Sequence, residues 1–85
     1  MNSKHRKTRD ALFEHPVHSD IRWADIESLF KALGAEIEER KGSRVAVIWE
    51  GAAPEIFHRP HPEPFTDKGA VRAARRSVER HEEET

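Results

Sequence analysis

Residues 35–49 read AEIEERKGSRVAVIW, and the spacing of their apolar side chains decides the fold. Ala35 and Ile37 alternate with Glu36 and Glu38, and Val45, Val47 and Trp49 alternate with Arg44, Ala46 and Ile48. A period of two belongs to a strand that buries one face. Between the runs, Lys41, Gly42 and Ser43 are enough to join them as an antiparallel hairpin, with Gly42 at the tight position. A second turn, EGAAP at 50–54, leads into EIFH at 55–58, a short third strand that completes an antiparallel meander.

Upstream of the hairpin the period is 3.6. In RWADIESLFKALGA (22–35), Trp23, Ile26, Leu29, Phe30 and Leu33 share one arc of a helix, while Asp25, Glu27, Ser28 and Lys31 fall on the other side. Trp23 is in phase with four other apolar residues, which makes it a core residue and not a base-stacking one. Gly34 follows the last apolar position and ends the helix in a left-handed conformation. Before it, SKHRKTRDALFEHP (3–16) predicts a weakly amphipathic helix capped by Asn2 or Ser3, with Leu12 and Phe13 as its main apolar residues and Pro16 beyond its end. This N-terminal helix is expected to pack loosely on the domain; the competing reading gives Lys4, Arg6, Lys7 and Arg9 to nucleic acid.

The last helix starts in FTDKGAVRAARRSVERH (65–81), with Thr66 or Asp67 as N-cap. Ala70, Val71, Ala74 and Val78 take one side, and Lys68, Arg72, Arg75, Arg76 and Arg80 form an arc on the other. A run of charge is ordinarily a solvated face. Here Glu79 alone is available on the helix to offset five cations, which favours contact with phosphate. The expected fold class is therefore α+β, a three-stranded antiparallel sheet with helices on one face in the order α-α-β-β-β-α.

Composition bounds the rest. With 85 residues, 35% apolar and 36% charged, the chain has room for one domain with a thin core. Without cysteine, neither disulfides nor a thiolate metal site supplement that core. No apolar run approaches the roughly 20 residues of a membrane span, so no membrane association and a cytoplasmic location are expected. The net charge of −1 hides a local excess, because Glu82, Glu83 and Glu84 lie near the end of the chain while residues 59–80 are basic. The division expected is an N-terminal helical extension at 1–18, the domain at 19–81 and a frayed acidic tail at 82–85.

Between the third strand and the last helix lies FHRPHPEPFTDKG (57–69), where Pro60, Pro62 and Pro64 hold the backbone extended and present His58 and His61 beside Arg59. A histidine between two prolines either fixes the loop or does chemistry. Two histidines at this spacing make a poor metal site without further ligands, so neither a metal nor another cofactor is expected. His5, His15, His18 and His81 lie in surface or terminal positions and receive no role.

Taken in order, a helix ending at LGA, a hairpin carrying KGSRV, a third strand running into HRPHP and then DKGAVRAARRSV resemble the HicA family of type II toxins. The resemblance covers roughly residues 22–80; Gly42 and Ser43 match its hairpin motif, and Pro60, His61 and Pro62 match its Pro-His-Pro. It implies a fold like the double-stranded RNA-binding domain, a metal-independent endoribonuclease acting on mRNA, and a HicB-like antitoxin as partner. It also implies a departure: the family's catalytic histidine follows the Gly-Ser pair, and that position here is Arg44, which cannot accept a proton in the accessible pH range.

Cleaving RNA without a metal needs a base for the 2′-OH proton, a cation for the charge building on phosphorus and an acid for the leaving oxygen. His61 and His58 are the candidate acid–base residues and Arg44 the candidate phosphate clamp. Lys41, Gly42, Ser43, Arg59, Lys68, Arg72, Arg75 and Arg76 are the candidate RNA-binding residues. His61 is expected to meet Arg44 at one phosphate, with the basic helix alongside. The alternative is a non-catalytic RNA-binding module, a degenerate relative that keeps the fold and the basic helix; DNA binding by the last helix has less support because no helix-turn-helix pair precedes it.

Overall fold

A computed structural model describes residues 1–84. The elements run α1 (Ser3–Leu12), α2 (Trp23–Ala32), β1 (Glu36–Glu39), β2 (Arg44–Ile48), β3 (Glu55–His58) and α3 (Lys68–Glu84), the α-α-β-β-β-α order expected. The sheet is antiparallel in the order β1-β2-β3, with Ile37 opposite Val47 and Val45 opposite Phe57. Gly42 takes φ +71° in the turn between β1 and β2, and Gly34 takes φ +105° after α2, conformations that a Cβ disfavours.

Alternation then sorts the two sheet faces. Val45, Val47 and Phe57 point into the core, where they meet Ile26, Leu29 and Phe30 of α2 and Val71, Ala74 and Val78 of α3. Four aromatic rings lock this small core: Trp23 lies 5.3 Å from Phe57, and Phe30 meets Trp49 edge-on at 5.8 Å. Trp49 donates its indole N–H to the Ser77 hydroxyl at 2.8 Å, which fixes α3 against the end of β2. Arg80 of α3 reaches Glu55 of β3 at 2.9 Å. The opposite face carries Arg44 and His58, Ala46 and Ile56, and Ile48; among the described residues no helix covers Arg44, His58 or Ile56, the last 49% exposed, while Ala46 at its centre is buried.

Three expectations change in detail. The N-terminal extension is not loosely packed: Leu12 is 1% exposed within the core, and Arg9 forms a two-pronged pair with Glu82 at 2.6 and 2.7 Å. Its helix is capped by Asn2, whose side chain accepts from the His5 amide, and it stops at Leu12 because the residue before Pro16 resists helical backbone. Glu82, Glu83 and Glu84 are not a separate tail but the last turn of α3, where Arg9 pairs with Glu82, while the final residue of the expected tail lies outside the described residues. Finally Glu27, placed by periodicity on the polar side of α2, is buried at 9% exposure. Among the described residues no helix is long and apolar enough to cross a membrane.

Candidate active site

The turn between β1 and β2 and the end of β3 meet at one edge of the open face. The Arg59 amide donates to the Ser43 carbonyl at 2.8 Å, so Ser43 and Arg59 are a hydrogen-bonded pair of the ladder. The next pair inward, Arg44 and His58, is therefore the non-hydrogen-bonded kind, in which Cα atoms stand about 4.5 Å apart and side chains approach most closely. Both residues are exposed and both project from the open face. The Arg44 guanidinium donates through Nε to the Lys41 carbonyl at 3.2 Å, a contact that draws it toward the turn and leaves its two terminal amino groups available. The His58 imidazole has no hydrogen bond or ion pair among the described residues.

Of the remaining candidates, Lys41, Gly42 and Ser43 are exposed at the same edge. His61 is exposed on the loop beyond β3 and makes no hydrogen bond to Arg44 or to any other described residue. Its loop is tied down farther along, where Trp23 donates its amide to the Pro64 carbonyl at 3.1 Å and Thr66 donates to the Ile21 carbonyl at 2.8 Å. The loop thus leaves β3 and returns to the start of α2, with Phe65 bridged to Arg22.

Arg59 is not a free cation. Its Nε and Nη2 donate to the two Glu27 oxygens at 2.8 and 3.1 Å, and its Nη1 donates to Glu39. Being odd in the strand's alternation, it points to the helix-covered face while His58 points to the open one. Burial pushes the Glu27 carboxyl up, but the hydrogen bonds from Arg59 and from the Trp23 indole outweigh this and hold it below the usual glutamate range. Hydrogen bonds to Glu27 and Glu39 raise the already high Arg59 further.

The α3 cations separate into two groups. Arg75 is largely covered and lies 3.8 Å from Glu79, and Arg80 is committed to Glu55. Lys68, Arg72 and Arg76 are exposed at a spacing of four, on the side opposite the buried Val71, Ala74 and Val78. Because α3 covers the inner face of the sheet, this stripe looks away from Arg44 and His58. The structure brings Arg44 and His58 together with the turn; it does not bring the α3 stripe to them.

Two contributors escaped the sequence reading. Arg40 donates its amide to the Arg44 carbonyl at 3.0 Å and so extends the row of Arg44 and His58 across the open face, its own guanidinium 3.0 Å from Glu38. Glu27 is the other, and its signal was present: a buried Trp23 needs an acceptor for its indole N–H, and a glutamate four residues on in a helix supplies one. Among the described residues no three His, Asp or Glu side chains are gathered as a metal would require.

Comparison with curated proteins and with solved structures returned no match. The family described as HicA toxin of bacterial toxin-antitoxin matches residues 23–79, from the first residue of α2 almost to the end of α3, well over half of the chain. A toxin of this kind works against an antitoxin partner, and α1 lies outside the matched segment. The chain therefore belongs to the HicA toxin family of bacterial toxin–antitoxin systems.

Proposed function

We propose that this toxin is a metal-independent endoribonuclease acting on mRNA in the cytoplasm, with His58 and Arg44 at the cleavage site and a HicB-like antitoxin covering it. One observation carries the reading: at the position where the resemblance implies a catalytic histidine the chain has Arg44, and a histidine stands directly across the strand from it, on the same open face. The imidazole has in effect moved one strand over.

In the proposed step His58 takes the proton of a ribose 2′-OH, and the freed oxygen attacks the adjacent phosphorus. The bond from phosphorus to the 5′ oxygen breaks, a cyclic 2′,3′-phosphate forms, and the departing 5′ oxygen takes a proton from an acid, His61 or water. Arg44 donates to the non-bridging oxygens as their charge grows. Lys41 and the amides of the turn hold the flanking backbone, and Lys68, Arg72 and Arg76 bind a more distant part of the RNA by charge.

The second reading, an RNA-binding module without chemistry, is favoured by Arg44 itself, since a guanidinium cannot act as a base. Incubating the protein with a long RNA in excess EDTA separates the two. The ribonuclease fragments the RNA and leaves cyclic phosphate ends, and Arg44→Ala slows it; a binding module shifts the RNA in a gel and leaves it intact.

A further inference from the structure

Glu27 presents a puzzle that neither the toxin family nor the cleavage step resolves. It is a carboxylate whose side chain is 12% exposed in a core of few residues, and its partner is the Arg59 guanidinium. Arg59 itself is 34% exposed, and covering the carboxylate of such a pair gives no assured stability, because apolar groups of similar volume hold a core as well or better. Position is what the pair does supply. Arg59 is fixed through its side chain to α2 at Glu27 and to β1 at Glu39, and through its amide to the turn at Ser43. All of these contacts lie at the residue immediately after His58. In a strand a slip or rotation by one residue exchanges the two faces, so a guanidinium anchored on the covered side requires the preceding imidazole to stand on the open side.

We infer that Glu27 is a positioning residue: by fixing Arg59 beneath the sheet, it holds His58 on the open face opposite Arg44. The catalytic consequence rests on the ribonuclease reading, whereas the geometric one stands without it. β3 ends at His58, and the loop that follows contains three prolines, which have no backbone N–H to donate to a ladder. Without the anchor, Arg59 stands between the last residue of the strand and Pro60 with only its amide bond to Ser43 to secure it. The carboxylate on α2 thus converts a frayed strand end into a defined one.

The test is the double variant Glu27→Gln/Arg59→Met, which removes both charges while the amide oxygen still accepts from Trp23. Two readouts are taken: the NMR cross-strand contact between His58 and Arg44, and single-turnover RNA cleavage as a function of RNA concentration. The expected result is a retained fold, a weakened or lost His58–Arg44 contact, and a maximal rate lower by about 10- to 100-fold with half-saturation changed less than about twofold, the signature of a misplaced catalytic group. An unchanged contact together with an unchanged maximal rate would overturn the inference and leave the pair a purely structural one. If the double variant does not fold, Arg59→Lys, which keeps a charge for Glu27 but loses the two-pronged geometry, is read in the same way. Should the wild-type protein cleave no RNA, the ribonuclease reading alone falls, and the NMR contact still decides the positioning role.

Discussion

In the proposed cleavage step, a guanidinium at position 44 and an imidazole at position 58 divide between two residues what a single histidine would otherwise have to combine with a neighbour: proton transfer and charge stabilisation. Their pairing follows from register, since Ser43 and Arg59 share a ladder bond and so bring the next pair into the closer arrangement. The same turn depends on Gly42. A side chain there would meet open space, so it is the φ of +71° alone that opposes substitution. Gly42→Ala is expected to cost about 1 kcal/mol, read as a lower urea midpoint with an unchanged slope. Ser77→Ala, by contrast, leaves the buried Trp49 indole N–H without its acceptor. It is expected to destabilise by about 1–3 kcal/mol, seen in the same denaturation experiment, while cleavage by the folded fraction is unaffected.

At the scale of elements, α1 serves the fold, with Leu12 in the core, Arg9 paired to Glu82 and Lys4 3.6 Å from Asp25, whereas α3 divides into a buried side and an exposed basic stripe. Leu12→Ala is expected to cost about 2–4 kcal/mol by the cavity it leaves, a value thermal or urea unfolding would give. On α3, Lys68, Arg72 and Arg76 have no ion pair among the described residues, and they face away from the sheet. Their triple substitution by alanine is expected to weaken RNA binding and lower the slope of log affinity against log salt by about 2, with the cleavage rate at saturating RNA unchanged. The strands, α2 and the phase of α3 were legible in the sequence because a period of two or 3.6 survives in few residues, as Val45, Val47 and Trp49 show. What escaped was decided by tertiary partners. Helical periodicity put Arg75 and Arg80 in a phosphate-contacting arc and the proline-rich loop offered Arg59, and only the folded chain reveals Glu79, Glu55 and Glu27 beside them. The cross-strand meeting of Arg44 with His58 depends on register, which the hairpin's sequence does not set for β3.

For the whole molecule, two ion pairs that join elements distant in sequence contribute to the response to acid. Arg9 holds the Glu82 carboxyl below the usual range, as Arg59 and Trp23 do for Glu27 against its burial. A carboxylate with a lower pKa in the folded chain stabilises it fully above the unfolded value, about 4.5, and that contribution is lost as the pH falls through the folded value. Thermal melting followed from pH 7 downward is therefore expected to show a midpoint that falls steeply below about pH 4.5, and Glu27→Gln is expected to flatten the fall. A midpoint independent of pH in that range would mean that these pairs do not contribute to the acid response. The proposed function turns on the open face of the sheet, and single-turnover cleavage of a long RNA in excess EDTA by His58→Ala tests it most directly. His58 is exposed and has no hydrogen bond or ion pair among the described residues, so the variant is expected to keep its fold and RNA affinity while its rate drops by about 10²–10⁴-fold. Cleavage by His58→Ala at the wild-type rate would contradict the proposed site.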